Sequence, residues 1–420
     1  MDGGLGNRCG LPEIMPPLNI ALLHYSAPPI VGGVEAILGA HARLMSAAGH
    51  SVRVIAGRGE QGKEGQFVRI PLADSRHPRV LAVKAELDRG HIPDSFAALR
   101  DEIGAQLDSA LREVDVLITH NVCSLHKNLA LTAAIQQLTR TSTSLRLILW
   151  HHDLAWSTPR YRRELHDGLP WDLLRTDWGG LHVVVSEPRR RELAELLRLS
   201  VDSITVVPNG VDATALLGLQ ETTVGLSTHL GLWNAAPLLL TPVRITRRKN
   251  LELALQTLAS LKQDLSDAKL VITGPPGPHN PTNVAYLRSL RRLRQQLGLE
   301  ASAVFLADHY PGHLPHIVVA DLYRMADALL LPSREEGFGI PLIEAALTRL
   351  PIFCADIPPL RELAGEEATY FHPDAKPDDV AELIAEHFRH DPQARLALRA
   401  RSVYSWDAIY RLHLEPLLEA

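Results

Sequence analysis

Short apolar runs recur along the chain, and segments with a helical period separate them. Residues 18–24 form one such run. A Ser-Ala-Pro-Pro-Ile-Val-Gly-Gly loop follows, then helix-period positions over 34–48, then a second run at 51–56. Strand, glycine loop, helix and strand in that order predict a βαβ unit, whose crossover makes the two strands parallel. Runs at 114–119, 145–150, 181–185 and 204–207 continue the series, with helical patterns such as 95–111 and 188–199 between them. A second series follows at 238–242, 269–273, 303–306, 328–331, 351–354 and 368–371. This alternation predicts α/β architecture with two doubly wound sheets. A chain of 420 residues also exceeds the size at which one core keeps growing.

The expected layout is an irregular leader over 1–17, a first domain over 18–208, a second over 238–400 and a closing helix over 401–420. Between the domains, 209–237 has mixed composition and poor periodicity and reads as a linker leading into the second domain. Hydrophobic residues make up 46% and charged residues 22%, enough apolar material for two cores. A net charge of −5 argues against general binding to nucleic acid. Cys9, Cys123 and Cys354 are too far apart in sequence for a zinc motif or a disulfide framework, which fits a reducing cytoplasm. The leader lacks the basic start and apolar core of a signal peptide, and no apolar run approaches the roughly 20 residues that span a bilayer. Peripheral contact with the inner face of a membrane stays open, as does oligomeric state.

The most informative stretch is Ser333-Arg-Glu-Glu-Gly-Phe-Gly-Ile-Pro-Leu-Ile-Glu-Ala345. An apolar strand ends at Pro332, Gly337 and Gly339 free a turn, and Pro341 suits a first helical turn. Unpaired N–H groups around Phe338 and Gly339, with the positive end of the helix, favour a phosphate or diphosphate. Glu336 and Glu344 bracket that site, and a carboxylate accepts well from vicinal hydroxyls. A plain turn with acidic residues near a helix start is the other reading.

Further candidates lie at other strand ends. Arg244 and Lys249, in Thr241-Pro-Val-Arg-Ile-Thr-Arg-Arg-Lys-Asn-Leu251, sit on a loop where cations can reach a diphosphate; Arg247 and Arg248 read as solvated. His151, His152 and Asp153 end a strand, where open α/β sheets place ligands, and strand alternation turns the two histidines to opposite sides. His152 is slightly favoured to face the ligand. His120 and Asn121 end the preceding strand. Gly32-Gly33 makes either a turn or a close approach of backbone to ligand. A metal set of His120, His151, His152 and Asp153 would instead suit a metal-dependent hydrolase.

Glu336, seven intervening residues and Glu344, with Gly-Phe-Gly between, resemble the Glu-x7-Glu signature of retaining GT-B glycosyltransferases of family 4, the glycosyl transferases group 1. Arg244 and Lys249-Asn250 resemble that family's donor-phosphate motif, and Pro208-Asn-Gly-Val-Asp212 its domain-boundary signature; Asn209 comes from this last match. The resemblance spans roughly residues 18–415. It implies two Rossmann-like domains facing across a cleft, with the C-terminal helix crossing back to the first. It also implies hexosyl transfer from a nucleotide-diphosphate sugar, UDP-glucose-like or GDP-mannose-like, to a sugar, glycolipid or small hydroxylated acceptor. Glu344 would accept from the ribose and Glu336 from the sugar, Gly32-Gly33 would approach the diphosphate, and His152 would stand on the acceptor side. Gly274 falls where the family has a Gly-x-Gly loop beneath the nucleotide, although Pro275 and Pro276 depart from that pattern. The nucleotide sugar is a substrate, and neither a cofactor nor a metal is expected, since the chain has no Asp-x-Asp. A glycosyl phosphorylase or trehalose-synthase-like enzyme shares the fold and the glutamate pair, and a silent sugar-nucleotide binder is a further rival.

Overall fold

Thirteen strands, paired in parallel throughout, appear among the residues described by the computed structural model, 16–141, 145–277, 280–310 and 314–419. The expected leader, but for Pro16 and Pro17, and Cys9 lie outside them. Contacts divide the chain into an N-terminal domain, Met1–Gly210 with Ile409–Ala420, and a C-terminal domain, Val211–Ala408.

In the N-terminal domain the strands are β1 (Asn19–Leu23), β2 (Ser51–Ala56), β3 (Gln66–Arg69), β4 (Val116–His120), β5 (Arg146–His151), β6 (Leu181–Val184) and β7 (Ile204–Val206), in spatial order β3-β2-β1-β4-β5-β6-β7. The C-terminal domain has β8 (Leu238–Thr241), β9 (Lys269–Ile272), β10 (Ala303–Phe305), β11 (Ala328–Leu331), β12 (Ile352–Ala355) and β13 (Thr369–Phe371), in order β10-β9-β8-β11-β12-β13. Both sheets run outward from their first strand, then return to its other side. The order reverses between β1 and β4, and between β8 and β11, and at such a switch point the helices that follow neighbouring strands pass to opposite faces of the sheet and leave a crevice at the strand ends for a ligand. Every residue of β4, β8, β11 and β12 is buried, which is why these strands read as unbroken apolar runs.

Several elements escape that signal. The edge strand β3, Gln-Phe-Val-Arg, has no buried residue and no apolar run. Residues 213–237, expected as linker, belong to the C-terminal domain and carry the helices Ala213–Leu217 and Glu221–His229. Their anchor is polar: the fully buried Asp321 accepts from Thr223 Oγ1 at 2.6 Å and from Gln220 N at 2.9 Å, and pairs with Arg324. Apolar periodicity cannot reveal a helix held by a carboxylate 98 positions away in sequence.

The closing helix is also not one helix. The helix Pro392–Tyr404 stops at Ser405, where Val211 N donates to Tyr404 O at 2.7 Å and Trp406 N to Val211 O at 3.2 Å. Short turns at Trp406–Ile409, Tyr410–Leu414 and Glu415–Glu419 follow. From Ile409 these residues group with the N-terminal domain, where Leu414, Leu417 and Leu418 are buried and Arg146 Nη2 donates to Leu418 O at 2.7 Å. No helix among the described residues is long and apolar enough to cross a membrane.

Replacing Asp321 by Ala removes the acceptor for Thr223 and Gln220 and strips Arg324 of its partner. The C-terminal domain should lose about 3 kcal/mol, the scale of breaking a buried charged network. Urea unfolding reads this as a lower midpoint at unchanged slope. An unchanged midpoint would mean that apolar packing alone holds these helices.

Candidate functional site

Because β8 and β11 are neighbours at the switch point, the loops that leave them meet. The link begins inside the sheet, where Thr241 Oγ1 donates to Leu330 O at 2.7 Å. Beyond it, Arg247–Lys249 forms a tight turn closed by Asn250 in the left-handed region, φ 52°, and the helix Leu251–Asp264 starts at once. Asparagine tolerates that conformation better than most residues, and Asn250 Nδ2 also donates to Pro373 O at 3.0 Å. Lys249 is thereby turned inward and is 7% exposed. Its Nζ lies 2.5 Å from Glu336 Oε1, and Ser333 Oγ, fully buried, donates to the same oxygen at 2.7 Å. Glu336 thus has one oxygen fixed by two donors. Arg248 Nη1 lies 3.8 Å from its other oxygen. Burial lowers the pKa of the Lys249 ammonium, and the Glu336 carboxylate works against that shift.

Arg248 is more than a solvated charge. Its Nη1 donates to Glu335 O at 3.1 Å while its carbonyl accepts from Arg334 N at 2.8 Å, which ties the two loops together. Arg247 rests over the ring of Tyr286, 5.1 Å from its centre. Arg244 is exposed and among the described residues has no ion pair. Gly274 faces the backbone beside it: a Cβ there would stand 2.2 Å from Val243 O and 2.6 Å from Arg244 Cα. The glycine therefore lets the loop after β9 pack under Arg244. Pro275 O accepts from Ile245 N at 3.0 Å, so the unexpected prolines extend this same contact.

The helix after β11, Ile340–Leu347, begins at Gly339, whose φ of 108° excludes most side chains; a Cβ would also meet Leu360 at 2.6 Å. No side chain caps that helix start, and Gly337 and Phe338 are exposed. Glu344 is exposed as well, and its Oε2 accepts from the Tyr323 hydroxyl at 2.6 Å. Sequence reasoning missed Tyr323 and Ser333. Ser333 was within reach, three residues before Glu336, whereas Tyr323 stands on another helix.

In the N-terminal domain the corresponding switch point gathers histidines. His24 Nδ1 lies 2.7 Å from His120 O, and His120 Nδ1 lies 3.1 Å from His152 Nε2. Asn121, buried with φ 60°, accepts through Oδ1 from His152 N at 2.8 Å and Asp153 N at 3.1 Å, fixing the turn after β5. His151 points to the other side, to His182 at 3.0 Å. The four-residue metal set is therefore divided between two faces. Burial lowers the pKa of each of these histidines, to about 4 for His24 and about 3 for His152, so both are neutral at ordinary pH. Gly32 and Gly33 begin the helix Gly33–Ala47; Gly32 is covered by Glu35, which accepts from Ser26 Oγ at 2.6 Å, and Gly33 faces open space. Asn209 is exposed in the loop after β7.

Among the described residues one group has metal-ligand spacing, Asp88, His126 and Glu164. Lys84 Nζ stands in its middle, 2.6 Å and 2.7 Å from the two Asp88 oxygens and 3.0 Å from Glu164. An ammonium already supplies the positive charge there.

Profiles of two families match the chain: Glycosyltransferase Family 4 over residues 31–215 and Glycosyl transferases group 1 over 231–402. Two doubly wound parallel sheets with these matches define a GT-B glycosyltransferase. The chain belongs to the glycosyl transferases group 1, of the family 4 type. A mannosylglucosylglycerate synthase of Thermotoga maritima is 24% identical over 80% of this chain and 80% of its own. A D-inositol 3-phosphate glycosyltransferase of Xylanimonas cellulosilytica is 31% identical over 52% of each. The serotype-specific mannosyltransferase WbdA of Escherichia coli is 47% identical over 16% of this chain and 8% of its own.

The histidine cluster carries a pH dependence. His41, in the same cluster with its ring 4.8 Å from that of Trp150, has its pKa lowered by burial to about 3. Above about pH 6.5 such a group is neutral in both folded and unfolded chains, and its contribution to stability is complete. Below that pH the unfolded chain takes up protons that the folded core refuses, so stability falls toward the folded pKa. Between about pH 4 and 6, the stability of His41→Phe should fall less steeply than that of the parent, by about 1.4 kcal/mol per pH unit. Urea midpoints across that range measure it, and equal slopes would show that His41 binds its proton in the folded state.

Proposed function

We propose that the chain is a retaining hexosyltransferase, moving glucose or mannose from a nucleotide-diphosphate sugar to a sugar, glycolipid or small hydroxylated acceptor. The observation that carries this reading is the buried Lys249–Glu336 pair at the start of an uncapped helix. One Glu336 oxygen is occupied by Lys249 and Ser333, which leaves the other to accept from sugar hydroxyls. Lys249 keeps two further protons for a diphosphate oxygen, and Arg244, with no ion pair among the described residues, is exposed on the same loop. With the N–H groups of Phe338 and Gly339 they would stabilise the charge that grows on the departing diphosphate. On this reading the charge needs no metal ion, no resident cofactor takes part, and the diphosphate accepts the acceptor's proton. The similarity to a mannosylglucosylglycerate synthase and to mannosyltransferases supports a hexosyl group.

Hydrolysis and transfer assays with UDP-glucose and GDP-mannose test the reading directly. Lys249→Ala should lower turnover at saturating donor by roughly a hundredfold or more, the scale for losing a transition-state charge partner. Near-parental turnover would overturn Lys249's role, and complete loss of activity in chelator, restored by zinc, would overturn the metal-free mechanism.

The two glutamates should separate by binding. Glu344→Gln is expected to raise the dissociation constant of UDP or GDP about tenfold, as for a hydrogen bond to a charged group. Glu336→Gln should leave that constant nearly unchanged and depress turnover instead. Calorimetric titration of the nucleotide alone distinguishes them; parental binding by both variants would remove the ribose role of Glu344.

A further inference from the structure

Glu344 is an exposed side chain on a short helix, and an exposed glutamate ordinarily samples several rotamers. Here it does not stand alone. Tyr323, in the last turn of the helix His316–Met325, is 3% exposed, and its hydroxyl lies 2.6 Å from Glu344 Oε2. The buried ring is carried by a helix other than the glutamate's own, and the hydroxyl's other acceptor, Pro341 O, is distant at 3.5 Å, so the short contact to Glu344 is its main one. Burial and the neighbouring carboxylate raise the Tyr323 pKa well above its ordinary value, which keeps the proton on the oxygen. A carboxylate offers about four lone-pair sites, and Tyr323 occupies one of them on Oε2. Oε1 and the remaining site on Oε2 are left for a ligand.

We infer that Tyr323 is a positioning residue that orients Glu344 for a ribose diol, so that this enzyme distinguishes ribonucleoside from 2′-deoxyribonucleoside diphosphates. The inference rests on Glu344 being the ribose acceptor. Two vicinal hydroxyls must meet one carboxylate in a fixed plane, and a rotor held in advance loses less freedom on binding than a free one. A residue that merely filled space would affect ribose and deoxyribose ligands alike. A residue that aims the carboxylate affects chiefly the ligand that has both hydroxyls.

The experiment is calorimetric titration of UDP, GDP, 2′-deoxy-UDP and 2′-deoxy-GDP into the full chain, its Tyr323→Phe and Glu344→Gln variants, and the double variant. The parent should prefer the ribonucleotide it binds over the deoxy form by about tenfold. Tyr323→Phe should weaken the ribonucleotide about fivefold and the deoxy form much less, narrowing that preference, with the thermal midpoint recorded as a check on folding. In the Glu344→Gln background the same change should have no further effect. Should Tyr323→Phe fail to fold, Tyr323→Met, which also lacks the donor, takes its place. A full preference in the tyrosine variant, beside a weakened Glu344→Gln, overturns the role of Tyr323 alone. Parental nucleotide binding by Glu344→Gln overturns instead the ribose reading on which it rests.

Discussion

The pairing of β8 with β11 is the constraint on which the C-terminal domain's site depends. Strand order makes these two strands neighbours although they are far apart in sequence, so the loops that leave their ends come within reach of each other beside the crevice of the switch point. Thr241 makes the first contact inside the sheet, Arg248 the next across the loops, and Lys249 with Glu336 the last. A lysine and a glutamate 87 positions apart are thus held 2.5 Å from each other by strand order. Taking such a pair out of water is costly, and the attraction between the partners repays it only with good geometry and further hydrogen bonds. Ser333 supplies one, on the oxygen that Lys249 already holds.

The same logic explains how each carboxylate is prepared. Glu336 is fixed through Oε1 by the loop from β8, and Glu344 through Oε2 by a tyrosine on a neighbouring helix. Each retains acceptor capacity on the side not taken. Preparing acceptors in the free protein reduces the reorganisation that binding would otherwise demand.

The N-terminal domain uses its own switch point differently. His24, His120 and His152 are neutral and buried, connected through ring nitrogens and a carbonyl, with Asn121 holding the turn that carries His152. A chain of neutral imidazoles orients polar groups without adding charge. Its consequence is a core whose stability falls as the solution becomes acidic, because the unfolded histidines bind protons that the folded ones exclude.

Much of this was determined by the sequence alone. The strands with both faces buried were legible as apolar runs, and β2 and β11 fall where periodicity places them. The turn at Gly339 and the acidic pair Glu336 and Glu344 were legible too, because a positive φ and a helix start impose local residue choices. What required tertiary structure was every feature fixed from a distance. The polar edge strand β3 forms because β2 offers it a ladder, the helices over 213–229 stand because Asp321 reaches them, and the terminal helix breaks at Ser405 because Val211 pairs there. Tyr323 and Asn121 gain their meaning only from the residues they face. Apolar periodicity records which face of an element is buried, while a hydrogen bond between distant residues leaves no period to read.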